Sequence, residues 1–304
     1  MTVITRSDEP VHSRSPEASP PLPMGQGHVV VRAAGKLETD PVGFARRRRI
    51  KDMVLRFATP VVFVAAWQYA SSSGAIDRRF WPSPTEILSE ARTLLADGTL
   101  QERTLQTVQT LLTGYGLGAI AGIVLGLVFA TVRNIRVAFE PMLTALYAIP
   151  KLAVLPLLLL VFGINDKPKI ILIALTVFFV TWITTMSAVM GVATTYREAA
   201  RSLDANRRQT AFHVVLPAAL PEIFVALRIS ASMATLSVVA IEMVHGEKGL
   251  GKLIWNSWQV FFTERMYVGI VTVALMGMVF QTLVKVAAKI VCPWAADRND
   301  GPAS

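Results

Sequence analysis

Six apolar runs separated by polar stretches dominate the chain, at about 53–71, 107–131, 140–163, 169–192, 222–245 and 267–290. Each is long enough to cross about 30 Å of hydrocarbon as a helix. The first is the least apolar, with Arg56 and Pro60 near its start and Gln68 near its end. None alternates apolar and polar residues as the strands of a membrane barrel do. An open sheet edge would find no hydrogen-bond partner in lipid, which leaves helices. The pattern predicts an all-α polytopic membrane protein with six transmembrane helices. Composition agrees: 53% of the 304 residues are hydrophobic and the mean hydropathy is +0.48, too apolar for an ordinary soluble chain.

Charge gives the direction. The formal net charge is +9, and it is spread unevenly. With the amino terminus in the cytoplasm, the inner flanks hold Arg46 to Arg49, Lys51, Arg133, Arg136, Arg197, Arg201, Arg207, Arg208, Arg228, Lys285 and Lys289. The outer loops are poorer in Lys and Arg. The bias predicts both termini cytoplasmic, with Arg46–Lys51 as the strongest anchor. The polar loop 193–221 then also lies inside.

Residues 1–45 differ in kind. Pro10, Pro16, Pro20, Pro21 and Pro23 lie among Ser, Glu and Gly, with too little apolar surface to fold alone. They read as a disordered cytoplasmic tail, and no apolar h-region marks a signal peptide. The predicted organisation is this tail, a six-span domain over 46–292 with the loop 193–221, and a cytoplasmic tail over 293–304.

The loop is the most informative polar stretch. Glu198-Ala199-Ala200 is followed by Asp204 and then by Val214-Val215-Leu216-Pro217. Residues 198–203 are good helix formers, and Asp204 or Asn206 tolerates the left-handed backbone that ends a helix. A second short helix follows through Phe212 and Val215, and Pro217 and Pro221 are expected to break it before the fifth span. Two short helices at an angle make a knob for a partner's cleft. An amphipathic surface loop without a partner has the same pattern.

Within the spans, Gly114, Gly118, Gly122 and Gly126 recur every four residues and form one flat stripe for close helix packing. Lys151 and Glu242 are ionisable groups inside spans, where charge is costly. A cation lining a wet path would suit an anionic solute; alternatively, Lys151 snorkels or caps a broken helix. Glu242 reads as a structural partner or an outer-gate residue. Thr181, Thr184 and Thr185 give the fourth span a polar face, as Ser237 does on the fifth. Such hydroxyls line paths, and they also bond their own backbone. Lys151, Thr181, Thr184, Thr185, Ser237 and Glu242 are therefore the candidate path residues.

The spacing of the loop resembles the EAA loop of the inner-membrane permeases of ABC importers. Phe80-Trp81-Pro82-Ser83-Pro84-Thr85, Ala148-Ile149-Pro150-Lys151, Ala226-Leu227-Arg228, and Glu242-Met243 with Gly249-Leu250-Gly251 resemble the nitrate/sulfonate/taurine branch of binding-protein-dependent permeases. Two positions depart from it: Asp204 stands where that family has Gly, and Ile241 where it usually has Ala. The resemblance implies a multi-pass protein of a prokaryotic cytoplasmic membrane that does no catalysis and binds no cofactor. It implies an ATPase subunit that uses ATP and Mg, an extracytoplasmic solute-binding protein, and a second permease copy or a sibling. It assigns ATPase coupling to Glu198, Ala199, Ala200, Asp204, Leu216 and Pro217, with alternating access driven through the loop. The solute class it suggests is a small organic or inorganic anion.

Other chemistries find little support. Cys292 is a lone cysteine, and His12, His28, His213 and His245 make no metal spacing, so no metal site is expected. Gly246 with Gly251-Lys252 imitates a phosphate-binding loop, but Leu253 stands where Ser or Thr should hold magnesium. It reads better as a turn before a short helix. No basic patch sits in a soluble domain, which argues against nucleic acid. A non-transporting membrane scaffold and an ion-gradient-driven carrier remain as alternatives.

Overall fold

A computed structural model describes residues 41–298, all of its regular elements being helical. The chain divides into two units after Val61. The described part of the first is the opening of helix α1 (Pro41–Ser72). Five residues of the expected tail, 41–45, thus belong to a helix. Proline suits a first helical turn, where its missing N–H would be unpaired anyway, and the alanine and arginines that follow are good helix formers. Residues 1–40 and 299–304 lie outside the described residues.

The second unit holds the remaining described helices. The main ones are α2 (Pro84–Ala96), α3 (Thr99–Thr131), α4 (Arg133–Ala148), α5 (Leu155–Phe162), α6 (Lys167–Met190), α7 (Thr194–Ser202), α8 (Leu216–His245), α9 (Leu250–Gln259) and α10 (Thr263–Val291), and the short helix Arg207–Gln209 lies between α7 and α8. Among the described residues, five helices are long and apolar enough to cross a membrane. The expected third span is not one helix. It is a pair, Arg133–Ala148 and Lys151–Phe162, bent by 90°, and it makes a sixth span only if the pair counts as one. Pro150 causes the break: it has no N–H to donate and forces Ile149 into extended backbone, with ψ 128°.

A second expectation is corrected at Pro217 and Pro221. Neither stops the helix, which is continuous over Arg207–His245. Residues Thr210–Val215 form a π-helical turn, and the N–H of Leu216 donates to Ala211 O, five residues back. In an α-turn the Pro217 ring would meet the carbonyl of His213. The wider turn makes room for Pro217, and α8 proceeds with Pro221 inside it.

Packing sets the directions of the helices. The glycine stripe of α3 lies on α6, with Gly114 against Ile173, Gly118 against Ala174 and Val177, Gly122 against Thr181 and Gly126 against Thr185. Both numbers rise together, so α3 and α6 are parallel. Thr107 bonds Glu242 while Tyr115 Oη donates to Leu227 O at 2.9 Å, so α3 and α8 are antiparallel. Tyr115 also meets Phe280 edge to face at 4.8 Å, and Gly277 lies against Thr235, which places α10 antiparallel to α8. The C-terminal ends of α3, α6 and α10 therefore share one end with the start of α8.

The opposite end is tied by side chains. Ser83 and Glu86 form a capping box that starts α2, and the Ser83 amide and hydroxyl hold the Glu86 carboxyl below its ordinary range. Arg265 Nε bonds Glu90 Oε1 at 2.8 Å, linking α10 to α2. Trp67 of α1 packs on Tyr267 at 5.7 Å.

Candidate coupling loop and the helices behind it

The loop 193–221 opens with α7. Its end is a left-handed C-cap: Ala205 N–H donates to Ala200 O at 3.1 Å and Asp204 N–H to Arg201 O at 3.0 Å. Asp204 supplies the positive φ, 55°, that this cap demands. Asp adopts it at a cost that Gly avoids. Asn206, the other candidate for that turn, caps the next helix instead. Its side chain accepts from Gln209 N–H while Gln209 Oε1 accepts from Asn206 N–H, both at 2.8 Å. The chain then enters the π-turn and α8.

One face of α7 is open. Glu198 and Ala199 are exposed, as is Tyr196. Leu203 is 83% exposed just past the helix end. Residues three and four apart share a helix face, so Tyr196, Ala199 and Leu203 form one strip. Ala200 is on the other side and buried, and Arg197 Nη2 fastens that side to Val189 O at 2.8 Å. The motif carries no role for Tyr196, Leu203 or exposed Phe212, although large apolar side chains in a charged stretch mark them in the sequence. Leu216 and Pro217 are half-buried. Leu216 packs with Val189, Val215, Ala219 and Ile223, so the exit of the loop is rooted among the long helices.

The candidate path residues separate. Thr181 and Thr185 are fully buried against Gly122 and Gly126, where they pack α6 on α3. Thr184 is half-buried and its hydroxyl donates to Val180 O at 2.9 Å. Ser237 is half-buried. Lys151 Nζ donates to Tyr147 O, a carbonyl freed by the break, and lies 4.3 Å from the Tyr147 ring centroid and 5.3 Å from that of Phe179. It caps the broken helix, the structural alternative read from the sequence.

Glu242 is likewise an internal fastening. It is 2% exposed; both carboxylate oxygens accept from Thr107 Oγ1, and Oε2 also accepts from Gly251 N–H at 2.9 Å. Thr107 Oγ1 in turn accepts from Leu250 N–H, and Gln106 Oε1 from Gly249 N–H. The carboxyl occupies the turn that imitates a phosphate loop. Gly249 has φ 101° and a side chain there would meet the carboxyl at 2.4 Å. Glu242→Ala is expected to lower stability by about 3 kcal/mol, because Thr107 and the Gly251 amide lose their buried partner. Thermal unfolding of the purified chain in detergent measures this, with Glu242→Gln expected to cost less.

The loop is thus exposed at one end of the helical bundle, with the continuous helix Arg207–His245 behind it. The family model described as "Binding-protein-dependent transport system inner membrane component" matches residues 118–295. The chain belongs to that family. It is a transport permease subunit, as its relatives are. SsuC of Bacillus subtilis (strain 168), named for aliphatic sulfonates transport, is 31% identical over 77% of this chain and 85% of its own length. The taurine transport system permease protein TauC of Escherichia coli (strain K12) is 26% identical over 80% of this chain and 90% of its own. The inward-facing MetNI methionine ABC transporter shares the fold, with TM-score 0.56 and 17% identity over 63% of this chain and 95% of that one. The match over 118–295 includes α7, the π-turn, Glu242 and the turn at Gly249–Gly251, while Gln106 and Thr107 precede it.

Proposed function

We propose that this permease carries a small anion inward across a prokaryotic cytoplasmic membrane, powered by a separate ATPase that holds the loop 193–221. The observation that carries the reading is the continuity of that loop with α8. A push on the exposed strip of α7 reaches the cluster of Val189, Val215, Ala219 and Ile223 by two routes, Arg197 bonded to Val189 O and, past the turn at Asp204, the helix Arg207–His245. Small Ala199 lets a partner approach, Glu198 offers a charge for pairing, and Leu216 and Pro217 hold the exit. ATP and Mg belong to the partner, and this chain supplies no catalytic group.

The packing supports six spans. Parallel α3 and α6 favour a return across the membrane between them, with the bent pair α4–α5 as one crossing. The loop, the start of α8 and the end of α10 then lie at one end, and Arg197, Arg201, Arg207, Arg208, Lys285 and Lys289 support a cytoplasmic position for it. A solute-binding protein delivers cargo at the other end, and a second permease copy or a sibling completes the pore. The relatives named for sulfonates, taurine and, in Synechococcus elongatus, bicarbonate support an anionic cargo.

Affinity capture of the tagged chain from its native membranes, followed by reconstitution and uptake of labelled taurine or sulfonates, tests the reading. An ATPase in the captured complex and ATP-dependent uptake are expected. Capture of a well-folded chain without any ATPase would favour a scaffold, and uptake driven by an ion gradient a secondary carrier.

A further inference from the structure

A cleft of about 840 Å³ lies between α8 and α10. Ile229, Leu236, Val273 and Met278 give it an apolar wall, and Arg228 and Lys285 give it two cations. The contact of Thr235 with Gly277 sets the register of this antiparallel pair. Arg228 is seven residues before Thr235, and Lys285 is eight after Gly277. At 1.5 Å per residue, both lie roughly 10–12 Å from that contact, toward the same end. This is the end that bears the loop 193–221. Among the described residues, neither cationic side chain has an ion-pair or hydrogen-bond partner, although acidic groups elsewhere take Arg78, Arg79, Lys169 and Arg265.

We propose that this cleft binds an anionic phospholipid of the leaflet on the loop's side. Its phosphate is shared by Arg228 and Lys285, and an acyl chain follows the apolar wall toward the bilayer midplane. Basic pockets between spans near the cytoplasmic surface suit such headgroups. A small hydrophilic anion would satisfy the cations and leave the apolar wall unoccupied. A purely apolar helix would cover the wall and leave two cations without a counter-charge. The site concerns the membrane environment of the permease, and only the naming of the leaflet rests on the proposed orientation.

Native mass spectrometry of the purified full chain, titrated with dioleoylphosphatidylglycerol or dioleoylphosphatidylcholine, tests the site. Wild type is expected to prefer the anionic lipid by about tenfold or more, on the scale of two juxtamembrane charges. Arg228→Gln or Lys285→Gln should each weaken binding about fivefold, and the double variant should lose the preference. Both side chains are exposed, so the variants should melt as wild type does. The charge-retaining pair Arg228→Lys with Lys285→Arg should keep the preference. An unchanged preference in the double variant, or none in wild type, overturns the proposal. Displacement of the bound lipid by millimolar taurine would overturn it in favour of a small-anion site. A Met278→Cys chain that forms a disulfide dimer with or without lipid would overturn it in favour of a second copy. The measurement needs neither ATPase nor uptake, so it stands apart from the transport reading.

Discussion

Gly118→Leu is expected to remove almost all folded protein from the membrane. A single carbon added at Gly118 would lie 2.3 Å from Ala174 O and 2.9 Å from the Val177 Cβ. The first obstacle is backbone of a parallel helix, which no rotamer change can move. To accept the side chain, α3 and α6 would have to separate, and that would also open the contacts at Gly114, Gly122 and Gly126. Overpacking of a core usually costs about 1–3 kcal/mol, and a clash with fixed backbone belongs at or above the top of that range. Folded membrane proteins have little stability to lose against such a term. Gly116 on the same helix provides the control, since nothing lies within 4 Å of a carbon added there. Size-exclusion chromatography of fluorescently tagged chains should show at least a tenfold loss of the monodisperse peak for Gly118→Leu and little change for Gly116→Leu. Equal peaks would mean that α3 and α6 do not pack through the stripe.

Ala199→Trp is expected to abolish uptake while leaving a folded permease in the membrane. Ala199 is exposed, so the indole meets no neighbour within the chain. It projects from the strip shared with Tyr196 and Leu203, where a partner that seats closely on a small residue has no room for it. A clash at the centre of an interface removes several kcal/mol of binding, on the scale of other interface hot spots. Co-purified ATPase should fall by about tenfold or more, with the melting curve of the isolated chain unchanged. Ala200→Trp should act differently. Ala200 is 6% exposed and faces the body of the protein, so that variant should fail in folding. If Ala199→Trp keeps full uptake, the exposed strip is not where force enters.

Much of the architecture was legible from local chemistry. Span positions follow from the length of apolar runs, and the loop stands out because charged residues interrupt them. The αL turn at Asp204 was readable because short polar side chains tolerate that backbone. The four-residue spacing of glycine in α3 announced a packing face. What it could not name was the partner, since Ile173, Ala174, Thr181 and Thr185 lie about sixty residues further along the chain. The same distance in sequence hides the burial of Thr181 and Thr185, whose hydroxyl face looks available until the glycines of α3 cover it.

The sequence by itself determined the helical class, the apolar segments, the polar loop and the glycine stripe, because each depends on residues within a few turns of one another. The tertiary structure decided the rest. It split the third apolar run at Pro150, since a proline's cost depends on whether the bundle gives the freed groups new partners, and there Lys151 takes the carbonyl of Tyr147. It carried α8 through Pro217 by a π-turn anchored among Val189, Ala219 and Ile223. It also joined Glu242 to Thr107 across 135 residues, turning an isolated intramembrane acid into the fastening of a glycine turn. Each of these outcomes depends on which polar groups meet when distant segments pack, and burial makes an unpaired group costly enough to decide among the alternatives.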